Sequence, residues 1–157
     1  MCGIAGIFGM TDQAKAGKLV QCMNDKIAHR GPDDQGIYVD EMVALGHRRL
    51  AILDLTPAGH QPMHSADGNL EIIFNGEIYN FMEVRESLKG YTFKTRSDTE
   101  MMLAAYQEWG KDCVHKFNGM FAFAIWDKKK QSLYIARDRM GIKPVYYFHS
   151  GKLLFFA

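Results

Sequence analysis

Met1-Cys2-Gly3-Ile4-Ala5-Gly6 opens the chain with a cysteine directly behind the initiator methionine and small residues after it. Excision of Met1 leaves one residue carrying both a free α-amine and a thiol. Reference pKa values are about 7.7–8.0 for such an amine and about 8.5 for a thiol. An amine that close to cellular pH can act as general base toward a neighbouring thiol, so nucleophile and base need no second residue to bring them together. The sequence includes Met1, so this chemistry depends on maturation. A cysteine in a frayed terminus does nothing of the kind. The reading therefore requires elements that hold the terminus still.

Three further polar groups stand where apolar segments end or are interrupted: Arg49, Asn75-Gly76-Glu77 and Ser97-Asp98. An arginine can grip a carboxylate through two parallel hydrogen bonds. Asn75 offers amide donors, and Gly76 lets a backbone N–H approach a ligand closely, which an oxyanion hole requires. Glu77 and Asp98 can hold an ammonium group. A ligand with a carboxylate, an ammonium and a cleavable carbonyl is an amino-acid amide. Each residue also has a plainer use when taken singly. Arg49 can be a surface charge, Asn75-Gly76 a hairpin turn and Asp98 a helix start.

The positioning elements are visible in the patterning. Ile4–Phe8 reads as a short buried strand that ties down the terminus and holds Cys2 at its mouth. Asp12 caps an amphipathic helix with Ala16, Leu19, Val20, Met23 and Ile27 at helical spacing to about Ala28, with Cys22 as a small packing residue. Residues 30–34, Arg-Gly-Pro-Asp-Asp, make a turn. Gly36–Val39 and Met42–His47 read as strands around Asp40-Glu41, with the chain extended onward from Arg48 to Leu53. Asp54–Gly68, rich in Pro, Gly, Ser and His, is a long loop, and a loop of that length suggests function. Leu70–Phe74 is a strand broken by Asn75-Gly76. Asn80 with Glu83 suits a capping box for a helix ending near Gly90. Tyr91–Thr95 reads as a strand, and Ser97-Asp98-Thr99-Glu100 opens a helix through Trp109. A short helical piece follows near Cys113–Phe117. Met120–Trp126 is almost continuously apolar, as in a strand covered on both faces. Leu133–Ala136 pairs back on it, and Val145–Phe148 with Leu153–Phe156 forms a closing hairpin across Ser150-Gly151. Two sheets with a few amphipathic helices suggest a sandwich of sheets with helices outside.

Composition narrows the function classes. The chain has 157 residues, which suits one domain with a real core. Its net charge of +1 gives no argument for nucleic acid or an anionic membrane surface. No apolar run approaches the ~18 residues of a membrane span, and the N-terminus lacks the pattern of a signal peptide. Three cysteines, Cys2, Cys22 and Cys113, form an odd set without metal-like spacing, which fits a reducing cytoplasm. His60 and His64 lie four apart with Pro62 between them and no third ligand in view, so no metal site is expected there. The chain ends on the apolar strand-like Leu153-Leu154-Phe155-Phe156-Ala157, which reads as a cut within a longer protein.

The motifs together carry a resemblance. Met-Cys-Gly-Ile-Ala-Gly at 1–6, Arg-Gly-Pro-Asp at 30–33, Arg-Leu-Ala-Ile-Leu-Asp at 49–54, Phe-Asn-Gly-Glu-Ile-Tyr-Asn at 74–80, Ser-Asp-Thr-Glu at 97–100 and Gly-Met-Phe-Ala-Phe-Ala-Ile-Trp-Asp at 119–127 resemble the glutaminase domain of class II glutamine amidotransferases. Ala-Arg-Asp-Arg-Met-Gly-Ile-Lys-Pro-Val-Tyr-Tyr at 136–147 is most similar to the glutamine-hydrolysing asparagine synthetase branch. The resemblance runs through essentially the whole chain in order. It implies an α+β fold, the four-layer α/β/β/α sandwich of N-terminal-nucleophile hydrolases, with two mainly antiparallel sheets between helical layers.

Site roles follow from the same resemblance. Cys2 would be the nucleophile with its own α-amine as base, and Asn75 with the Gly76 N–H the oxyanion hole. Arg49 would bind the α-carboxylate of L-glutamine and Glu77 and Asp98 its α-ammonium, with Leu50 and Ile52 also at the substrate. The implied reaction passes through a glutamyl thioester and releases ammonia, with no cofactor or metal. ATP and Mg are expected only in a synthetase domain that makes asparagine from aspartate and that residues 1–157 do not contain. Two rivals stand beside this: a glutaminase domain serving another acceptor, and a non-catalytic domain of the same fold, a type that typically lacks the cysteine. The resemblance leaves a homodimer open.

Overall fold

The computed structural model describes residues 1–52 and 54–157. Parity along the strands sorts the side chains. In β1 (Gly3–Phe8), Ile4 and Phe8 join one apolar cluster and Ile7 another on the opposite face. Asp12 caps α1 (Gln13–Lys26), its side chain accepting from the Lys15 N–H at 3.0 Å. α1 lays Ala16 and Val20 on Ile7 and on Ala44 of β3 (Val43–Arg49), which forms a hairpin with β2 (Asp34–Val39). Then come β4 (Met63–His64), β5 (Leu70–Ile78), α2 (Phe81–Ser87), α3 (Asp98–Trp109), β6 (Gly119–Asp127), β7 (Ser132–Arg137), β8 (Tyr147–Ser150) and β9 (Leu153–Phe156).

The strands make two antiparallel sheets, one in the order β2-β3-β1-β9-β8 and one in the order β4-β5-β6-β7. Ile4, Val43, Leu45 and Phe156 of the first meet Ile73, Ala122, Ala124 and Trp126 of the second. The alternate residues Ile72, Phe74, Phe121, Phe123 and Ile125 face away, onto Met101, Met102 and Leu103 of α3. The order of layers is therefore α1, five strands, four strands, then α2 with α3, the four-layer α/β/β/α arrangement expected. Burying one large apolar side chain contributes about 1.5–3 kcal/mol, against about 0–1 kcal/mol for an exposed ion pair. These two apolar interfaces, rather than pairs such as Arg48–Asp25, set how the sheets are stacked.

Several local expectations are corrected. Asn75-Gly76 does not break β5, which runs on to Ile78 against β6 with Asn75 opposite Ala122 and Gly76 opposite Phe121. Tyr91–Thr95 belongs to no ladder, because the Glu100 carboxylate takes the Lys94 and Thr95 N–H groups at 2.8 and 2.6 Å. Asn80 does not cap α2. Its side chain is spent on the Asn118 N–H and the Lys116 carbonyl, and α2 stops at Ser87 rather than near Gly90. The ladder of β3 ends at Arg49, so residues 50–52 are not strand, and the Leu53 end of the expected extended run lies outside the described residues. The 54–68 loop contains a single 3₁₀ turn at Pro57–Gly59 and the short β4. Cys22 is exposed on α1 rather than packed in the core. β8 forms the outer edge of its sheet, leaving Tyr147 and Phe148 largely exposed beside Tyr146.

Gly6 lies opposite Phe156 in register, and a Cβ at Gly6 would sit 2.2 Å from the tip of that buried ring. Gly6→Ala should therefore cost roughly 1–3 kcal/mol of stability. In a Phe156→Leu background the same change should cost less than half as much. Urea unfolding midpoints of the four proteins test this, and equal costs in the two backgrounds would rule out the ring as the cause.

Candidate active site

Cys2 sits one residue before β1, and β3 runs alongside the whole of that strand, pairing Gly3 with Arg48 and Phe8 with Val43. The ladder carries the terminus up to the point where β3 gives way to Leu50. There the Cys2 thiol is held on both sides, accepting from the Leu50 N–H at 3.4 Å and lying 3.6 Å from the Leu50 carbonyl oxygen. Parity places Cys2 on the face of β1 shared by Ile4 and Phe8, the face that looks at the second sheet.

The second sheet presents Asn75 and Glu77 from β5, on the inward face shared with Ile73. Gly76 between them is required by packing, since a Cβ there would lie 2.2 Å from the Met120 carbonyl oxygen. Its N–H follows from the strand's own geometry. The Phe74 N–H leaves the ladder toward the Gln61 side-chain oxygen at 2.7 Å, and the Ile78 N–H toward the Asp98 carboxylate at 3.1 Å. Residues two apart in a strand direct their N–H groups to the same side. The Gly76 N–H thus faces the edge between Gln61 and Asp98, where β4 no longer covers β5. One residue earlier, buried His47 of β3 reaches across the sheets, its Nε2 3.0 Å from the Phe74 carbonyl. Burial pushes this imidazole down to about 4, so it is neutral at pH 7 with Nε2–H donating.

Ser97 caps α3, its hydroxyl accepting from the Glu100 N–H at 3.2 Å, which sets Asp98 at the first helical position. Burial pushes the Asp98 carboxyl up to about 6 against the pull of backbone donors, and the Glu77 carboxylate adds to the rise. Arg49 is buried in the 54–59 loop, donating to the Thr56 carbonyl at 3.0 Å and to the Asp54 carbonyl, with Gly59 leaving room for its guanidinium. Arg49 thus organises that loop as well as lining the cleft.

Cys2, Arg49, Leu50, Ile52, Asn75, Gly76, Glu77 and Asp98 all line one open cavity, so all the site residues expected from the sequence are brought together. A second cavity, walled by Arg30, Pro144 and Tyr146, meets the first at Cys2 and Asn75. Gln61, Thr99 and Lys143 also line the main cavity and were not singled out by residue type. Gln61 lies in the long loop that the sequence marks as functional, and its amide binds the Thr99 hydroxyl at 3.2 Å. His60 is engaged with Asp34 at 2.7 Å. Among the described residues no group of three or more His, Cys, Asp or Glu could hold a metal ion, and no helix is long and apolar enough to cross a membrane. The cavity offers a thiol at a strand mouth, an amide and a backbone N–H beside it, and cations and carboxylates around the rim. That set can attack a carbonyl, stabilise the resulting oxyanion and hold a zwitterion.

Known proteins resemble this chain along most or all of its length. The asparagine synthetase [glutamine-hydrolyzing] 1 of Bacillus subtilis is 48% identical over 162 residues, covering 100% of this chain and 26% of that protein. The asparagine synthetase [glutamine-hydrolyzing] 3 of Arabidopsis thaliana is 41% identical, covering 93% of this chain and 25% of that protein. The chain thus spans about a quarter of these relatives. The glutamine phosphoribosylpyrophosphate amidotransferase of B. subtilis, solved with ADP and GMP, superposes with a TM-score of 0.82 over 99% of this chain and 41% of its own, at 20% identity. That likeness is one of fold. The glutamine amidotransferase domain family matches residues 1–157, and the chain belongs to that family.

Proposed function

We propose that residues 1–157 form a glutaminase domain in which Cys2 hydrolyses glutamine to glutamate and ammonia. The observation that carries this reading is the shared cavity: a thiol on the first residue after Met1 faces an amide, a strand-edge N–H, and separated cations and carboxylates. After Met1 is removed, the α-amine takes the thiol proton as sulfur attacks the side-chain amide carbon of glutamine. The Asn75 amide and Gly76 N–H receive the oxyanion. The protonated amine then delivers its proton to the departing nitrogen, ammonia leaves, and water attacks the glutamyl thioester with the same amine as base. Arg49 takes the α-carboxylate, while Glu77 and Asp98 take the α-ammonium. Leu50 and Ile52 line the stem of the ligand. No step calls for a metal or organic cofactor.

The wider role rests on the relatives. Their names are those of glutamine-hydrolysing asparagine synthetases about four times the length of this chain. We infer that the ammonia serves asparagine synthesis from aspartate in the cytoplasm, in a synthetase module where ATP and Mg act. The exposed Tyr146, Tyr147 and Phe148 form the face assigned to that module, and the second cavity gives ammonia a way out on that side.

The direct test compares a processed chain with one that keeps Met1, the terminus being assigned by intact mass. Glutamate release should fall by about 10²-fold or more when the base is blocked. Equal rates in both would refute the amine-base role.

Asp98 gives a prediction with a defined pH window. Its folded value of about 6 lies above the 3.8 of a free carboxyl. Between those values the native state holds a proton that the unfolded chain has released, so stability falls as pH rises through the window. Asp98→Asn should therefore raise stability at pH 7 by about 1–3 kcal/mol, with the gain vanishing below pH 4. The same change should raise KM for glutamine roughly tenfold or more, by loss of a charged partner for the ammonium. Thermal melts against pH and steady-state kinetics check both halves. An unchanged KM would remove Asp98 from the ammonium site.

A further inference from the structure

A single carboxylate shapes the segment from Asp138 to Pro144. Buried Asp138 accepts four backbone N–H groups: Met140 at 3.1 Å and Ile142 at 2.9 Å on Oδ1, and Phe121 at 3.2 Å and Lys143 at 2.9 Å on Oδ2. Burial pushes this carboxyl up, but the four donors outweigh it and hold it below the usual range. One donor belongs to β6 at Phe121, directly opposite Gly76. The loop is thereby clamped to the strand that backs Asn75 and Gly76, and it delivers Lys143 into the cavity that holds Cys2.

The Lys143 residue is only 3% exposed. Among the described residues no carboxylate pairs with it, and its ammonium donates to the Met1 sulfur at 2.8 Å. Burying an ammonium without a paired carboxylate is costly, and a thioether is a weak acceptor. The fold thus fixes a cation without a paired carboxylate in the cavity of the thiol, on an atom that maturation removes. We propose that Lys143 acts electrostatically on Cys2: once Met1 is excised, its ammonium faces the sulfur and stabilises the thiolate as it forms. This rests on the reading of Cys2 as nucleophile. The other charged or titratable groups around the pair are His29 and Arg30 of the turn after α1, Arg49 of β3, Glu77 of β5, Asp98 of α3 and Asp138. Arg49 is committed to loop carbonyls. Burial first, and Arg30 second, push the Lys143 pKa below the ordinary lysine value, while Cys2, Asp138 and Glu77 oppose the fall.

The test measures sulfur reactivity without glutamine. The Met1-free chain is treated at pH 7 with neutral iodoacetamide and, separately, with anionic iodoacetate. Alkylation of the peptide beginning at Cys2 is followed by mass spectrometry, with exposed Cys22 as an internal reference. Lys143→Met should slow both reactions at Cys2 by about tenfold. It should slow iodoacetate further, lowering the iodoacetate-to-iodoacetamide ratio, and Lys143→Arg should restore both. Lys143→Gln gives the same readout should the methionine variant not fold. A purely structural role would leave the reagent ratio unmoved, and an unchanged ratio and rate in the neutral variants overturns the proposal. If the charge effect holds while the parent releases no glutamate, the glutaminase reading fails alone. If the parent turns over glutamine and the charge effect is missing, the Lys143 role fails alone.

Discussion

A nucleophile carried on a chain terminus can be placed no better than the strand behind it. In this protein that strand is β1, paired along its full length with β3 and over its second half with β9. Its apolar face is locked into the layer between the sheets, where Ile4 meets Ile73, Ala122 and Ala124. The two alanines are small enough for the sheets to close on each other, and this layer carries stabilisation that no single hydrogen bond at the terminus could match. The strand-borne side chains of the site inherit their positions from this layer. Cys2, Arg49, Asn75 and Glu77 continue, by strand parity, the same inward rows that hold the apolar core. The cleft is where those rows run out of hydrophobic residues.

The same economy governs charge. The carboxylates Glu77 and Asp98 stand together, and burial, with Glu77 adding to it, holds Asp98 at an elevated pKa. A positive charge brought beside such a group offsets the cost of its burial, which is the role proposed for the ligand ammonium. Arg49 and Lys143 put positive charge into the same cavity from β3 and from the Asp138 loop. In the proposed binding mode a zwitterion lies across that distribution with its amide end at the thiol. Neutral His47 ties β3 to the Phe74 carbonyl, at the peptide just before Asn75, so the two walls of the cleft are joined by a bond that does not titrate at physiological pH.

The site residues were legible because their chemistry is unusual for their places: a cysteine at position 2, an arginine at a strand end, an Asn-Gly pair in an apolar run. The layer order was not readable from periodicity, since an apolar strand such as Met120–Trp126 shows only that both faces are covered and not by what. Asn75-Gly76 suggested a broken strand because Asn-Gly favours turns. The long pairing with β6 overrides that local preference, and Gly76 is needed for close approach to Met120 instead. The free edge that exposes its N–H depends on where β4 stops, a tertiary fact with no local signature. Tyr91–Thr95 had strand composition, yet one buried glutamate on the next helix took its donors. Lys143 lies inside the 136–147 motif but gives no sign of its burial, because a lysine in a Gly-Pro-bearing turn ordinarily points to solvent.

The proposed hydrolysis passes through a covalent intermediate at Cys2. The decisive measurement is mass spectrometry of the Met1-free chain, acid-quenched during turnover of glutamine and digested. A glutamyl group is expected on the peptide that begins with Cys2, removed by hydroxylamine as a thioester should be, and absent from Cys22 and Cys113. Glutamate release that continues with Cys2 unmodified, or that survives Cys2→Ser at the parent rate, would contradict it.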